Sequence, residues 1–126
     1  MKEDNAQKDA AVGFLKLVTL GKVREAYAMY VAKNFRHHHP YFKGDAESLA
    51  KGMEENFQQF PHKAIEIKHV FEDKEFIIVH LKVQLKPGAA DYVIIHIFRF
   101  EDGKIAELWG AAEEVPRNSV NTNGIF

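Results

Sequence analysis

The chain has 126 residues, 46% hydrophobic and 28% charged, the size of one ordinary globular domain spanning 1–126 and able to bury its own core. Its 17 basic and 18 acidic residues are mixed along the sequence and leave a net charge of -1, which argues against nucleic acid or an anionic membrane as partner. The absence of cysteine excludes disulfides, thiolate zinc sites and cysteine nucleophiles; with no apolar leader after Met1-Lys2-Glu3-Asp4, the expected setting is soluble and cytoplasmic.

From Asn5 to Leu20, Ala10, Ala11, Phe14, Leu17 and Val18 recur at three- and four-residue spacing and predict an amphipathic helix, ended by Gly21. Val23 to about Val31 predicts a second helix, with Val23, Ala26, Tyr27 and Tyr30 on one side. The segment Asn34-Phe35-Arg36-His37-His38-His39-Pro40 reads as irregular, since the residue before a proline disfavours helix. Asp45 is the expected N-cap of a third helix, which carries Leu49, Met53, Phe57 and Phe60 as a stripe and stops at Pro61. Beyond Pro61 the period drops to two, predicting strands around Ile65–Val70, Phe76–Leu85, Asp91–Phe100 and Ile105–Val115. Asp73-Lys74, Pro87-Gly88 and Asp102-Gly103 supply the turns. Helices first and an antiparallel meander after predict an α+β fold with the helices on one sheet face, in its curved form a cone with a cavity between the two.

Several chemistries find no support. Ser48 and Ser119 lie on no nucleophile elbow, and Lys86-Pro87-Gly88-Ala89-Ala90 has no phosphate-loop spacing, so no cofactor is expected. In the His37-His38-His39 run neighbouring side chains of an extended segment point to opposite sides, and no acidic ligand accompanies them; no metal is expected. The ten phenylalanines read as core at helical and strand spacing.

Phe35-Arg36-His37-His38-His39-Pro40 after a helix pair, Val79-His80 in a strand, then IFRFEDGKIAELW and VPRNSVNTNGIF resemble the SnoaL-like polyketide cyclase group of the nuclear transport factor 2-like superfamily. The resemblance covers nearly the whole chain. It implies a cone-shaped curved antiparallel sheet packed on N-terminal helices (a cystatin-like roll), a homodimer, and an apolar pocket in which some members use His and Asp for acid/base work on polyketide carbonyls. Carried over by position, the pocket histidines fall at His38, His80 and His96. A last-strand His-Trp-Asp is here Leu108-Trp109-Gly110.

A two-residue Asp102-Gly103 turn would set His96 opposite Trp109; a three-residue turn bulged at Gly103 would set it opposite Leu108 with Gly110 diagonal. The second is preferred, because it aims His96, Leu108 and Gly110 inward and sends Trp109, Arg99 and Glu107 to the outer face, where a dimer partner would cover the Trp. In an apolar cavity His96 is expected to be neutral and able to accept a proton, with His38, His80 or Tyr30 donating to an enolate oxygen. Tyr30, Phe57, Ile94, Phe98, Leu108 and Gly110 are the expected ligand contacts. Asp91 precedes its strand and Glu107 points outward, which leaves Glu113 as the nearest substitute for the missing acid.

Two readings follow: an aldol-type cyclase or isomerase for a small, mostly apolar carbonyl compound, or a non-catalytic binder on the same scaffold with Gly110 enlarging the pocket. A third makes the outer face around Trp109 a docking surface for another protein. The tail is polar from Arg117 onward, apart from Val120, Ile125 and Phe126; if the end is ordered, Ile125 and Phe126 should dock.

Overall fold

The computed structural model describes residues 4–126; Met1, Lys2 and Glu3, where the sequence reading began, lie outside it. Three helices, α1 (Ala6–Thr19), α2 (Val23–Tyr30) and α3 (Ala46–Gln59), accompany five strands: β1 (Val31–His37), β2 (Ala64–Asp73), β3 (Phe76–Gln84), β4 (Asp91–Glu101) and β5 (Lys104–Glu114). The strands form one curved open sheet in the order β1-β5-β4-β3-β2, making the fold α+β.

α1 ends as its glycine predicts. Gly21 has φ +82, the Gly21 amide donates to the Val18 carbonyl at 3.0 Å and the Lys22 amide to the Leu17 carbonyl at 2.9 Å, which satisfies two carbonyls the helix itself leaves open. Asp45 stands at the N-cap of α3 in an extended conformation but makes no capping side-chain bond. Arg24 of α2 holds Glu47 and Glu54 of α3, each at 2.7 Å, on the exposed side of the pair.

The segment expected to be irregular overlaps a strand, β1. Val31–His37 is a strand, and it pairs parallel to β5 through Val31 with Ile105, Arg36 with Glu107 and His37 with Leu108. Only Phe35 and His37 of this strand are buried. Its local pattern is therefore weak, and its extended shape comes from a partner far along the chain.

Alternation fixes the two faces of the sheet. Ile77, Val79, Leu81 and Val83 of β3 are buried on the helix side, and pairing puts Phe98, His96, Ile94 and Tyr92 of β4 beside them. The core joins this inner face to Ala11, Phe14 and Leu15 of α1, Ala26 of α2 and Leu49 of α3. Phe98 is fully buried, with the Phe14 ring edge-on at 6.1 Å.

The β4–β5 register corrects the expected hairpin. Glu101 pairs with Lys104 around a two-residue turn, with Asp102 at φ 48 and Gly103 at φ +79, the primed turn that suits strand twist. The pairing then slips between Arg99 and Phe100, leaving Ala106 as an extra residue, so that Phe98 faces Leu108 and His96 faces Gly110 directly. The bulge lies in the strand, not at Gly103. His96, Leu108 and Gly110 nevertheless share the inner face, and Arg99, Glu107 and Trp109 the outer one.

Candidate functional site

Between the inner sheet face, α1 and α3 lies a cavity of about 400 Å³. Leu15 and Val18 of α1, Leu49 and Met53 of α3, and Leu81, Val83 and Ile94 of the sheet make its wall apolar. Its polar lining consists of His96 on β4, His39 and Tyr41 from the loop after β1, Thr19 and Asn56 from helix ends, and Lys63 just before β2.

The inner-face pairs of β4 and β5 change character along the strands. Phe98 and Leu108 meet across β4 and β5 and fill the core, whereas the next inner pairs are His96 with Gly110 and Ile94 with Ala112. Gly110 and Ala112 are exposed and do not line the cavity, whose sheet wall comes from β2, β3 and β4. At Gly110 an added Cβ would lie 3.0 Å from His96 Nδ1, a tight contact that the imidazole could relieve only by shifting a few tenths of an ångström. On the helix side the Phe42 ring lies against Gly52 of α3, where a Cβ would collide with it.

His96 Nδ1 is buried with no hydrogen-bond partner among the described residues. Burial pushes the His96 pKa down to about 4; the Trp109 main chain offsets part of this and the charge of His39 adds to it. The ring is therefore neutral at physiological pH. Burial also lowers the pKa of His39. Lys63 is half-buried, donates from Nζ to Asn56 Oδ1, and is held below the usual lysine pKa by desolvation.

The expected centre of three histidines does not form. His96 faces inward, but His80 pairs with Ile95 and stands on the outer face, where its Nδ1 lies 2.9 Å from His69 Nδ1 and the two rings stack. His38 is also outside, stacked on Trp109 at 4.9 Å with Nε2 2.6 Å from Glu107 Oε2. The reason is period two: in the run His37-His38-His39, His37 enters the core, His38 goes to the outer face, and His39 reaches the cavity. Thus the cavity histidine contributed by this run is His39. His37 accepts the His39 amide at Nδ1, 3.1 Å away, which puts its proton on a buried, unpartnered Nε2.

Among the expected ligand contacts, Ile94 lines the cavity and Gly110 backs His96. Phe98 and Leu108 are in the closed core, Tyr30 packs on Gly13 of α1 and Phe57 on Gly21; none of these four lines the cavity. Glu113 pairs with Val93 on the outer side and supplies no cavity acid. Lys63 escaped the sequence reading because a lysine between a proline turn and a strand reads as solvated, and no local pattern marks its inward turn.

On the outer face Glu107 is 5% exposed and is the centre of an ionic cluster, with Arg36 at 3.1 Å, Arg99 at 2.9 Å and His38 at 2.6 Å. Burial alone would raise its pKa, but hydrogen bonds from His38, Arg99 and Arg36 outweigh this and hold it at about 2. Phe126 docks on the same face, 6.3 Å from the His80 ring, with Lys68 and Lys82 Nζ at 5.7 and 5.6 Å from its centroid. Among the described residues no group of three His, Asp or Glu is placed to hold a metal, and no helix is long and apolar enough to cross a membrane.

A smaller hollow of about 300 Å³, between Gly88–Asp91 and Val115–Arg117, contains no imidazole or lysine. The apolar cavity is therefore the candidate site.

The fold is similar to that of a proposed polyketide cyclase from Bacillus cereus, with a TM-score of 0.74 and 22% identity over 86% of this chain and 74% of that one. A proposed polyketide cyclase from Acidithiobacillus ferrooxidans gives 0.73 and 16% over 90% and 92%. AclR, a proposed hydroxylase from Streptomyces galilaeus, gives 0.73 and 15% over 85% and 88%. At such identities the likeness is one of fold. No curated protein sequence matches the chain. Residues 13–108, well over half of the sequence, match the SnoaL-like domain, and the chain therefore belongs to that family, within the nuclear transport factor 2-like superfamily.

Proposed function

We propose that the chain binds a small, mostly apolar carbonyl compound in this cavity and acts on it as a cyclase or isomerase, by proton transfer at His96. The observation that carries the reading is a neutral imidazole lining an apolar cavity. A neutral imidazole accepts a proton from the carbon next to a carbonyl, and His39 on the same wall is the group to donate to the developing oxyanion. His38 and His80, on the other face of the sheet, take no part in this scheme.

A second reading, non-catalytic binding, is favoured by a specific observation: among the described residues no Asp or Glu lines the cavity, and the position facing His96 is glycine. Exchange of the α-protons of an aryl ketone into D2O, followed by NMR, separates the two. Wild type should accelerate exchange and His96→Ala should lose at least about a hundredfold of that rate, the low end of a general-base contribution. Binding of the ketone without exchange selects the binder. Failure of any apolar ketone to bind would remove both.

We further propose a homodimer formed through the outer sheet face. The support is apolar exposure there: Phe71 is 57% and Ile78 36% exposed, in line with Ile97 and Trp109.

A further inference from the structure

Among the described residues no Asp or Glu lines the cavity, yet one lysine, Lys63, does. Lys63 follows the turn that ends α3, where its own amide donates to the Phe60 carbonyl at 3.3 Å, and its side chain turns inward to the end of α3. Its only side-chain partner among the described residues is the neutral oxygen of Asn56, and it makes no ion pair there. An ammonium has no acceptor, so Asn56 must turn Oδ1 toward it, which leaves the Nδ2 hydrogens free for another group. A cation on an apolar wall without a counter-ion is unfavourable by itself. Desolvation already lowers the Lys63 pKa, and an anion at Nζ would reverse that effect.

The two polar ends of the cavity are well separated. Ile65, two residues after Lys63, pairs with Val83, and Val83 pairs with Tyr92. His96 stands four residues beyond Tyr92, roughly 13 Å farther along β4. Between them the wall is Val83, Leu81, Ile94, Val18 and Met53.

We infer that the ligand is an elongated apolar carboxylic acid, bound as its anion, with one carboxylate oxygen on Lys63 Nζ, the other on the Asn56 side-chain amide, and its apolar body directed along the wall toward His96. The inference rests on the reading of the cavity as a ligand site, and narrows the carbonyl compound proposed above to one that carries an acid group. Lys63 and Asn56 thereby set orientation, and the end of the ligand remote from the acid meets the imidazole.

Calorimetric titration of the full chain with decanoate and with decan-1-ol tests this. The wild type should bind decanoate at least about tenfold more tightly than the alcohol, as one charge-assisted bond in an apolar site would give. Lys63→Met should erase the preference while binding the alcohol as well as wild type does, which also shows that the variant is folded, and Lys63→Arg should keep a preference for the acid. Equal affinities in the wild type, or an acid preference that survives in Lys63→Met, would overturn the anion site while leaving the apolar cavity standing. If neither compound binds, the cavity reading falls together with it.

Discussion

His96 and Gly110 act as one unit, because the imidazole packs directly against position 110 and would have to give slightly to admit a side chain there. The ordinary histidine pKa of 6.5 applies to the unfolded chain and about 4 to the folded one. Between these values the unfolded chain takes up a proton that the folded chain refuses, so stability is fully present above about pH 6.5 and is lost as pH falls through the window toward about 4. The expected loss from this one group is on the order of 2–3 kcal/mol. Urea unfolding of wild type and His96→Leu across that range should show a shallower pH slope in the variant; parallel slopes would mean that His96 is not the group responsible. Gly110→Asp works in the opposite direction. A carboxylate beside the ring stabilises the imidazolium, so the His96 C–H resonances should titrate well above about pH 4 in this variant. The inward aim of His96 was readable from strand alternation, whereas the inward turn of Lys63 was not. One lies in a periodic strand and the other after a proline turn, where side-chain direction is set by what packs around it.

The bulge at Ala106 decides which face of β5 meets the helices. A strand slipped by one residue exchanges its two faces completely. Pairing Ala106 with Arg99 in place of the bulge would bring Glu107 and Trp109 inward and send Leu108 out, whereas deleting Ala106 keeps Glu107 opposite Arg99 and Leu108 opposite Phe98, so the deletion variant should retain a cooperative thermal transition as followed by near-ultraviolet circular dichroism. Loss of the transition would show that the extra residue itself, and not only the pairing it permits, is needed for the fold. Glu107 has a second task, since it ties Arg36 of β1 to Arg99 of β4 across β5. Glu107→Gln should cost about 1–3 kcal/mol at neutral pH, the range for charge-assisted bonds. Because this carboxyl titrates near 2 in the fold against 4.5 without it, its contribution is present above about pH 4.5 and is lost as pH falls toward 2, below the His96 window. The variant should therefore lack the lower of the two acid-induced losses in a denaturation series. Helices, turns and four of the strands could be read from spacing, since each carries its own period. β1 could not, because two buried residues in seven make no pattern and its partner is β5.

At the scale of the whole molecule the sheet has two occupations, with the cavity on one side and an ionic and aromatic surface on the other. If the outer surface joins two copies, sedimentation equilibrium should report a dimer, and Ile78→Lys, which puts a charge in the row of Ile97 and Trp109, should shift it to monomer without changing ligand affinity. A wild type that sediments as monomer at all concentrations would remove the proposed interface. The resemblance in the EDGK hairpin named the architecture, but the assignment of His38 and His80 to the pocket failed, because family position carries no information about which face a residue takes in this chain.

The parallel contact of β1 with β5 also orders events in time. His37 pairs with a residue about seventy positions later, so closing this contact carries one of the larger loop entropies in the fold. The loop that brings His39 to the cavity hangs from β1. During synthesis, helices and the β2–β3 hairpin have their partners early, while β1, tied to the start of α3 by the His37 amide on the Gly44 carbonyl, gains its sheet partner only when the final hairpin emerges. The binding site is thus among the last parts of the molecule to be built, and a chain stalled before β5 would present an apolar trough that lacks one side.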